Sequence, residues 1–213
     1  MHRYWPLFDL RLTTTDLELR PMTEADQMGL ADLLPDDIEL DPAATRYAGV
    51  DERAGRGTVI FQSYWNAYGT WSVEHWRLNF AVFAAGEMIG VQELEGTDFP
   101  ALLTVDTSSF LVAAARGQGF GKQMRGAVLS LAFGPMQAQA AITSAWHDNH
   151  ASLGVSRALG YRPNGETLQR HERGGVDRMV HLRLTRSDWL AGGVGAGTTC
   201  TGFEPCRALF GLT

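Results

Sequence analysis

Lysine is almost absent from this chain: Lys122 stands alone, and the other 17 of its 18 bases are arginine. Cysteine is nearly as scarce, with Cys200 and Cys206 both falling in the last fourteen residues. Two cysteines build neither a disulfide framework nor a four-ligand zinc site, so they read as two reduced thiols and no metal is expected. Long apolar runs are missing as well. The longest, such as residues 80–85, are strand-sized, far short of the roughly 20 residues that cross a bilayer. The opening MHRYWPLFDLRL holds no apolar stretch of signal-peptide length. Basic charge is not in excess either: 24 acids against 18 bases give −6, which argues against a nucleic-acid surface. The expectation is a cytoplasmic protein that engages neither membrane nor nucleic acid.

What is present is an ordinary globular composition, 45% hydrophobic and 20% charged over 213 residues. That is enough for one domain with a core of its own. Leu17-Glu-Leu-Arg20 alternates as a half-buried strand does, and Thr23 with Asp26 three residues on starts a helix running to about Leu34. Residues 35–56 read as a polar loop, and Thr58 to Tyr68 as an amphipathic helix whose aromatics belong to the core or a cleft wall. Two strands, 78–84 and 88–94, flank Ala85-Gly86-Glu87 as a hairpin. A strand over 104–112, a helix over 119–133, a strand over 141–145, a helix over 150–159 and a strand over 179–184 follow. The class is α/β. Past Trp189 the stretch AGGVGAG resembles a flexible linker, and GFEPCRALFGL after it is too apolar for a solvated tail. The organisation is therefore a single domain over 1–190, with 191–213 a linker plus a segment that docks on the domain or on a partner subunit.

Chemistry concentrates at Arg116-Gly-Gln-Gly-Phe-Gly-Lys122, between a strand and a strongly amphipathic helix. Glycines at 117, 119 and 121 let backbone N–H groups converge, and the helix start adds free N–H groups and the positive end of its dipole. Such a turn suits phosphate oxygens, with Lys122 or Arg125 adding charge. A Walker A loop is excluded because Gln123 follows Lys122, and the dinucleotide fingerprint because Lys122 stands where its last glycine belongs. A glycine turn that merely lets a helix pack on its sheet remains the alternative. Asn149 ahead of Ser152 reads equally as a simple helix N-cap. Trp146, His147, Asp148 and His150 read as turn chemistry rather than a metal cluster.

Arg116-x-x-Gly119-x-Gly121 also fits the Q/R-x-x-G-x-G/A pyrophosphate loop. Together with Asn149-x-x-Ser152, Leu159-Gly160-Tyr161 and the opening Leu17-Glu-Leu-Arg20-Pro21, it makes residues 11–190 resemble the GNAT acyltransferase superfamily. The similarity is to the branch of ribosomal-protein N-terminal acetyltransferases. The ends of the chain also resemble a subgroup for which succinyl-CoA is considered beside acetyl-CoA. The resemblance implies a splayed mixed sheet with acyl-CoA in the cleft between its fourth and fifth strands, here 104–112 and 141–145. Pantetheine would pair near Leu111 and Val112, beside Arg116. The amides of Gln118, Gly119, Phe120, Gly121 and Lys122 would hold the pyrophosphate, with Gly117 also in the cofactor site; Asn149 would hydrogen-bond the pantetheine, and Ser152 would cap its helix or touch the cofactor. A protein or small-molecule amine would be the acceptor.

Transfer to an amine needs a base, since a lysine amine has a reference pKa of about 10.4 and an α-amine about 7.7–8.0. Asp106 is the first candidate, directly or through water, with Glu93 and Glu95 as alternatives. A backbone N–H at a break in the fourth strand would polarise the carbonyl. The family's tyrosine, the acid for the leaving thiolate, is replaced at the matching position by Ser156. Either Ser156 relays a proton or the thiolate leaves unaided. The expected protein is an N-acyltransferase using acetyl-CoA or succinyl-CoA, assembled as a homodimer. An acyl-CoA-binding sensor with little turnover is the alternative.

Overall fold

Ala85 and Gly86 both take positive φ, 49° and 86°, as a tight right-twisted hairpin requires. Around that hairpin the computed structural model, which describes residues 2–40, 44–171, 174–193 and 197–212, builds one mixed sheet. Its strands are β1 (Arg11–Thr13), β2 (Leu17–Pro21), β3 (His75–Ala84), β4 (Glu87–Thr97) and β5 (Thr104–Leu111). They are followed by β6 (Ala140–Trp146), β7 (Arg162–Arg170), β8 (Val176–Thr185) and β9 (Thr199–Thr201). Across the sheet the order is β7-β8-β6-β5-β4-β3-β2-β1-β9. Among the described residues β5 and β6 are the one parallel pair of neighbours.

The helices are α1 (Glu24–Leu33), α2 (Glu52–Gly69), the single turn α3 (Phe99–Leu102), α4 (Phe120–Phe133), α5 (His150–Ala158) and α6 (Arg186–Gly192). Side chains alternate faces along β3. Trp76, Leu78, Phe80 and Val82 therefore join the main core with Met124, Val128 and Leu131 of α4. The odd residue Ala81 turns to a smaller core beneath α1 and α2, with Val91, Met22, Leu30 and Tyr64. Fully burying a side chain of the Leu or Phe class contributes about 1.5–3 kcal/mol, so both faces of β3 hold the sheet between helices. α1 is fixed at its start, where Asp26 accepts from Thr23 N at 2.8 Å and from Arg20 Nη1 and Nη2 at 2.7 Å each.

Several elements differ from the sequence expectation. α2 begins at Glu52, inside the stretch expected as loop, because Asp51 caps it by accepting from Ala54 N at 3.0 Å. β7 lacks any apolar alternation, since all nine of its residues are exposed, and β1 and β9 are only three residues long. β7 pairs with β8, and β8 runs antiparallel to β6, so no second parallel crossover forms.

The C-terminal segment folds back onto the sheet. β9 pairs with β1, Leu12 opposite Cys200. Phe203, Cys206 and Phe210 are buried in the same core as Trp76, and Trp71 Nε1 donates to Leu209 O at 3.0 Å. The middle of the glycine-rich stretch expected as a linker, residues 194–196, lies outside the described residues. Among the described residues no helix is long and apolar enough to cross a membrane.

Candidate active site

β5 and β6 pair for three residues and then part. Their register ends at Asp106 opposite Ile142, while β5 runs on to Leu111 and β6 to Trp146. Polar side chains mark the fork. Thr143 Oγ1 donates to Thr107 O at 2.7 Å, and Thr107 Oγ1 meets the Tyr161 hydroxyl at 3.3 Å. Burial pushes the Tyr161 hydroxyl up to about 12, so it stays protonated there. Thr107 turns its carbonyl toward β6, and Val112 turns its N–H toward β4, donating to Ile89 O at 2.9 Å. Backbone polar groups alternate sides along a strand, so Ser109 and Leu111 face the gap that β6 leaves. β4 and β5 stay in regular register from Gly90–Leu111 to Gly96–Val105. The outward-facing amides thus come from the parting of two strands and not from a break in one.

Behind this edge sits Arg125, which in the sequence is only a charge beside the glycine turn. It is buried, donating from Nη1 to Ser156 Oγ at 2.7 Å and from Nη2 to Ser109 Oγ at 3.1 Å. Desolvation lowers its pKa while the nearby Tyr161 and Asp106 raise it. Ser156 is buried too, and its own hydroxyl donates to Ser152 O at 3.0 Å. A hydroxyl held in this way orients Arg125 and points into the helix, away from the gap.

The glycine turn leads from β5 into α4. Gly117 and Gly119 adopt φ of 75° and 83°, with Gly119 the N-cap of the 14-residue helix. A Cβ at either would meet nothing within 4 Å, so conformation, not room, calls for glycine there. Gly121 differs. It lies in the helix, where a Cβ would stand 3.4 Å from Val155 Cγ2 on α5. Lys122 N donates to Gly119 O at 3.1 Å, so its amide is committed. The N–H groups of Gly117, Gln118, Gly119, Phe120 and Gly121 have no acceptor among the described residues. Five successive free amides at a helix N-terminus fit a pyrophosphate. Gln118 instead uses its side chain, Nε2 donating to Ala114 O at 2.8 Å.

The flanking residues have their own partners. Arg116 donates from Nε to Leu111 O at 3.0 Å and grips Asp37 through Nη1 and Nη2 at 2.5 and 2.8 Å. That pairing holds the Asp37 carboxyl below its usual range. Two residues on, Glu39 accepts from Trp146 Nε1 and meets His171 Nδ1, both at 2.9 Å. Residues 37–39 therefore bridge the ends of β5 and β6. Asn149 caps α5, its Oδ1 accepting from Ser152 N at 3.0 Å. His147 Nδ1 lies 3.3 Å from Asp177, and no group of His, Cys, Asp or Glu among the described residues is placed to hold a metal ion.

On the opposite face of the sheet, beneath α1 and α2, opens a cavity of about 820 Å³. Register stacks two cross-strand rows on this face: Asn79, Glu93 and Ser108, all lining the cavity, then Arg77, Glu95 and Asp106, of which Arg77 lines it. Ser108 Oγ donates to Glu93 Oε2, and Arg77 Nε to Glu95 Oε2 at 3.0 Å. The cavity reaches Glu93, Asn79 and residues 108–110 of β5, but Asp106 is not on its wall. The Asp106 side chain touches solvent, yet protein crowds it enough that desolvation holds its carboxyl up to about 6. Of the carboxylates considered as base, Glu93 faces the cavity.

The family model described as an acetyltransferase (GNAT) domain matches residues 16–162. Among solved structures, Mycobacterium smegmatis RimJ in complex with CoA-disulfide superposes with a TM-score of 0.69 at 18% identity, over 88% of this chain and 96% of that one. A chimera of Vibrio cholerae spermidine N-acetyltransferase SpeG with hSSAT gives 0.64 at 14%, over 83% and 99%. RimL, a ribosomal L7/L12 alpha-N-protein acetyltransferase in complex with coenzyme A, gives 0.62 at 18%, over 81% and 95%. At these identities the likeness is one of fold.

Proposed function

The chain belongs to the GNAT acetyltransferase family, and from that premise we propose that it transfers acetyl from acetyl-CoA to a primary amine entering beneath α1 and α2, with Glu93 as base. One observation carries this reading. A single cavity reaches both Glu93 and residues 108–110 of β5, the stretch whose outer edge β6 has left. Donor and acceptor can then meet across one strand.

The free amides of 117–121 take the pyrophosphate, and the gap-facing backbone of Ser109 and Leu111 takes the pantetheine arm as an added strand. Asn149 and Ser152 stand at the start of α5 on the far side of that gap. The incoming ammonium gives a proton to Glu93. Its nitrogen attacks the thioester carbonyl, the C–N bond forms, the C–S bond breaks, and CoA leaves as a thiolate that takes a proton from solvent. The nitrogen gives its second proton to water as the amide forms, matching the proton that the thiolate takes from solvent. Arg125, one hydrogen bond behind Ser109, sets a positive charge near the developing oxyanion. Ser156 serves that arginine and transfers no proton. Asp106 is a neighbour of the site, not its base.

Acetyl is favoured over succinyl because Glu93 lines the cavity, and the lining cation Arg77 is already paired with Glu95. A second carboxylate on the acyl chain would meet like charge. The structural neighbours named for a ribosomal protein and for spermidine bracket the acceptor class, a protein or small-molecule primary amine. A cytoplasmic homodimer completes the reading, with β7, exposed along its length, as the edge a second copy extends. The test is CoA release from acetyl-CoA and from succinyl-CoA with N-terminal peptides, lysine and polyamines. Amine-dependent release with acetyl-CoA, abolished in Glu93→Gln, is expected. Tight CoA binding without turnover on any acceptor would leave a sensor instead.

A further inference from the structure

The reaction above leaves two side chains of the cavity idle. Asn79 on β3 is 5% exposed and Gln27 on α1 is 1% exposed. Asn79 Oδ1 and Gln27 Nε2 are buried with no hydrogen-bond partner among the described residues. Other buried atoms of this kind, in Trp5, Trp76, Gln92, Arg125 and His147, do not line the cavity. A buried amide without a partner costs stability, and an apolar side chain of similar size would not. Two such residues lining one cavity make poor packing and a good recognition surface.

We propose that Asn79 and Gln27 are specificity residues, selecting an acceptor amine that carries a hydroxyl or amide within a few atoms of its nitrogen over an alkylamine of equal length. The proposal rests on the reading that amines enter this cavity. Asn79 stands directly opposite Glu93 in the β3–β4 register. Paired side chains there have Cβ atoms about 4.5–5.5 Å apart, so the Asn79 amide reaches the nitrogen that Glu93 deprotonates. Gln27 comes from α1, which covers this face, and meets the next polar atom of the acceptor. A hydroxyl or amide on the acceptor gives these buried groups a partner, whereas an alkyl chain leaves both without one. Sites that hydrogen-bond a substrate group reject analogues lacking it far more strongly than apolar pockets reject a missing methylene.

The test compares 1-amino-2-propanol and alaninamide with butylamine, in the wild type, Asn79→Leu and Gln27→Leu, at saturating acetyl-CoA. The ratio of polar to alkyl kcat/KM should fall at least about tenfold in each variant, with the KM for acetyl-CoA unchanged. Amine basicity cancels, because each probe is compared with itself across proteins. The melting temperature of each variant should equal or exceed that of the wild type, the reverse of what a structural role predicts. Asn79→Ala and Gln27→Met repeat the comparison with a smaller steric change. A second readout needs no turnover: the polar amines should raise the wild-type melting temperature more than butylamine, and lose that advantage in the variants. If no amine turns over but this binding difference persists, the transfer reading fails and the selection stands. Ratios and shifts that are alike in wild type and variants overturn the selection.

Discussion

At the glycine turn, the proposed donor site, the surface offered is backbone, the amides of 117–121 exposed by two left-handed glycines. In the cavity under α1 and α2 it is side chains, Asn79, Glu93 and Ser108 from three strands and Gln27 from a helix. A backbone site tolerates almost any change that preserves φ and ψ. A side-chain site is rewritten by one substitution. The donor half of such an enzyme can therefore stay constant while the acceptor half diverges, and fold alone does not identify the acceptor.

The sharpest way to break this contrast is Glu93→Gln. Turnover should drop about 10²-fold or more, as loss of a general base does, with acetyl-CoA affinity unchanged and part of the rate recovered at high pH. Wild-type turnover at neutral pH would remove Glu93 from the chemistry. On the backbone side, Gly119→Val forces a β-branched residue into φ of 83°. Acetyl-CoA binding should weaken at least about tenfold, or 1.4 kcal/mol, while the KM for amine holds. Calorimetry showing full affinity in a folded variant would refute the amide cradle. Gly121→Val should instead act through packing against Val155. Overpacking costs about 1–3 kcal/mol, so its melting temperature should fall with less effect on affinity than Gly119→Val.

The smallest expected effect belongs to Asp106. Desolvation raises its carboxyl to about 6, so the folded chain holds that proton more tightly than the unfolded one does. Its contribution to stability is full below the unfolded value, about 3.9, and is lost as pH rises through 6. Asp106→Asn should therefore match the wild type near pH 4 and melt higher near pH 7, with turnover close to normal. A strong loss of turnover would return the base to Asp106.

How much of this was legible in the sequence follows from the same contrast. Gly117, Gly119 and the helix behind them are contiguous, and a glycine's φ is a local property, so the loop and the α/β class could be read. Asn79, Glu93 and Ser108 are separated along the chain and meet only through register. Gln27 looks like any polar residue on an amphipathic helix until α1 is laid on the sheet. β7 offered no signal because neither of its faces is buried. Arg125 reads as a surface charge, and only the approach of Ser156 and Ser109 shows that it is enclosed.

The bridge made by residues 37–39 has a kinetic consequence. Asp37 holds Arg116 at the proposed donor loop, Glu39 holds Trp146 and His171, and Ile38 between them lines the cavity proposed for the acceptor. A pyrophosphate arriving beside Arg116 competes with the Asp37 carboxylate for the same guanidinium, and whatever loosens that grip also resets the wall. The two substrates then do not add independently. Acetyl-CoA should bind first and the amine second, giving a compulsory-order pattern in initial rates, with CoA competitive against acetyl-CoA and noncompetitive against the amine. Asp37→Asn should relax the pattern toward random addition; an unchanged pattern in that variant would mean the bridge carries no such coupling.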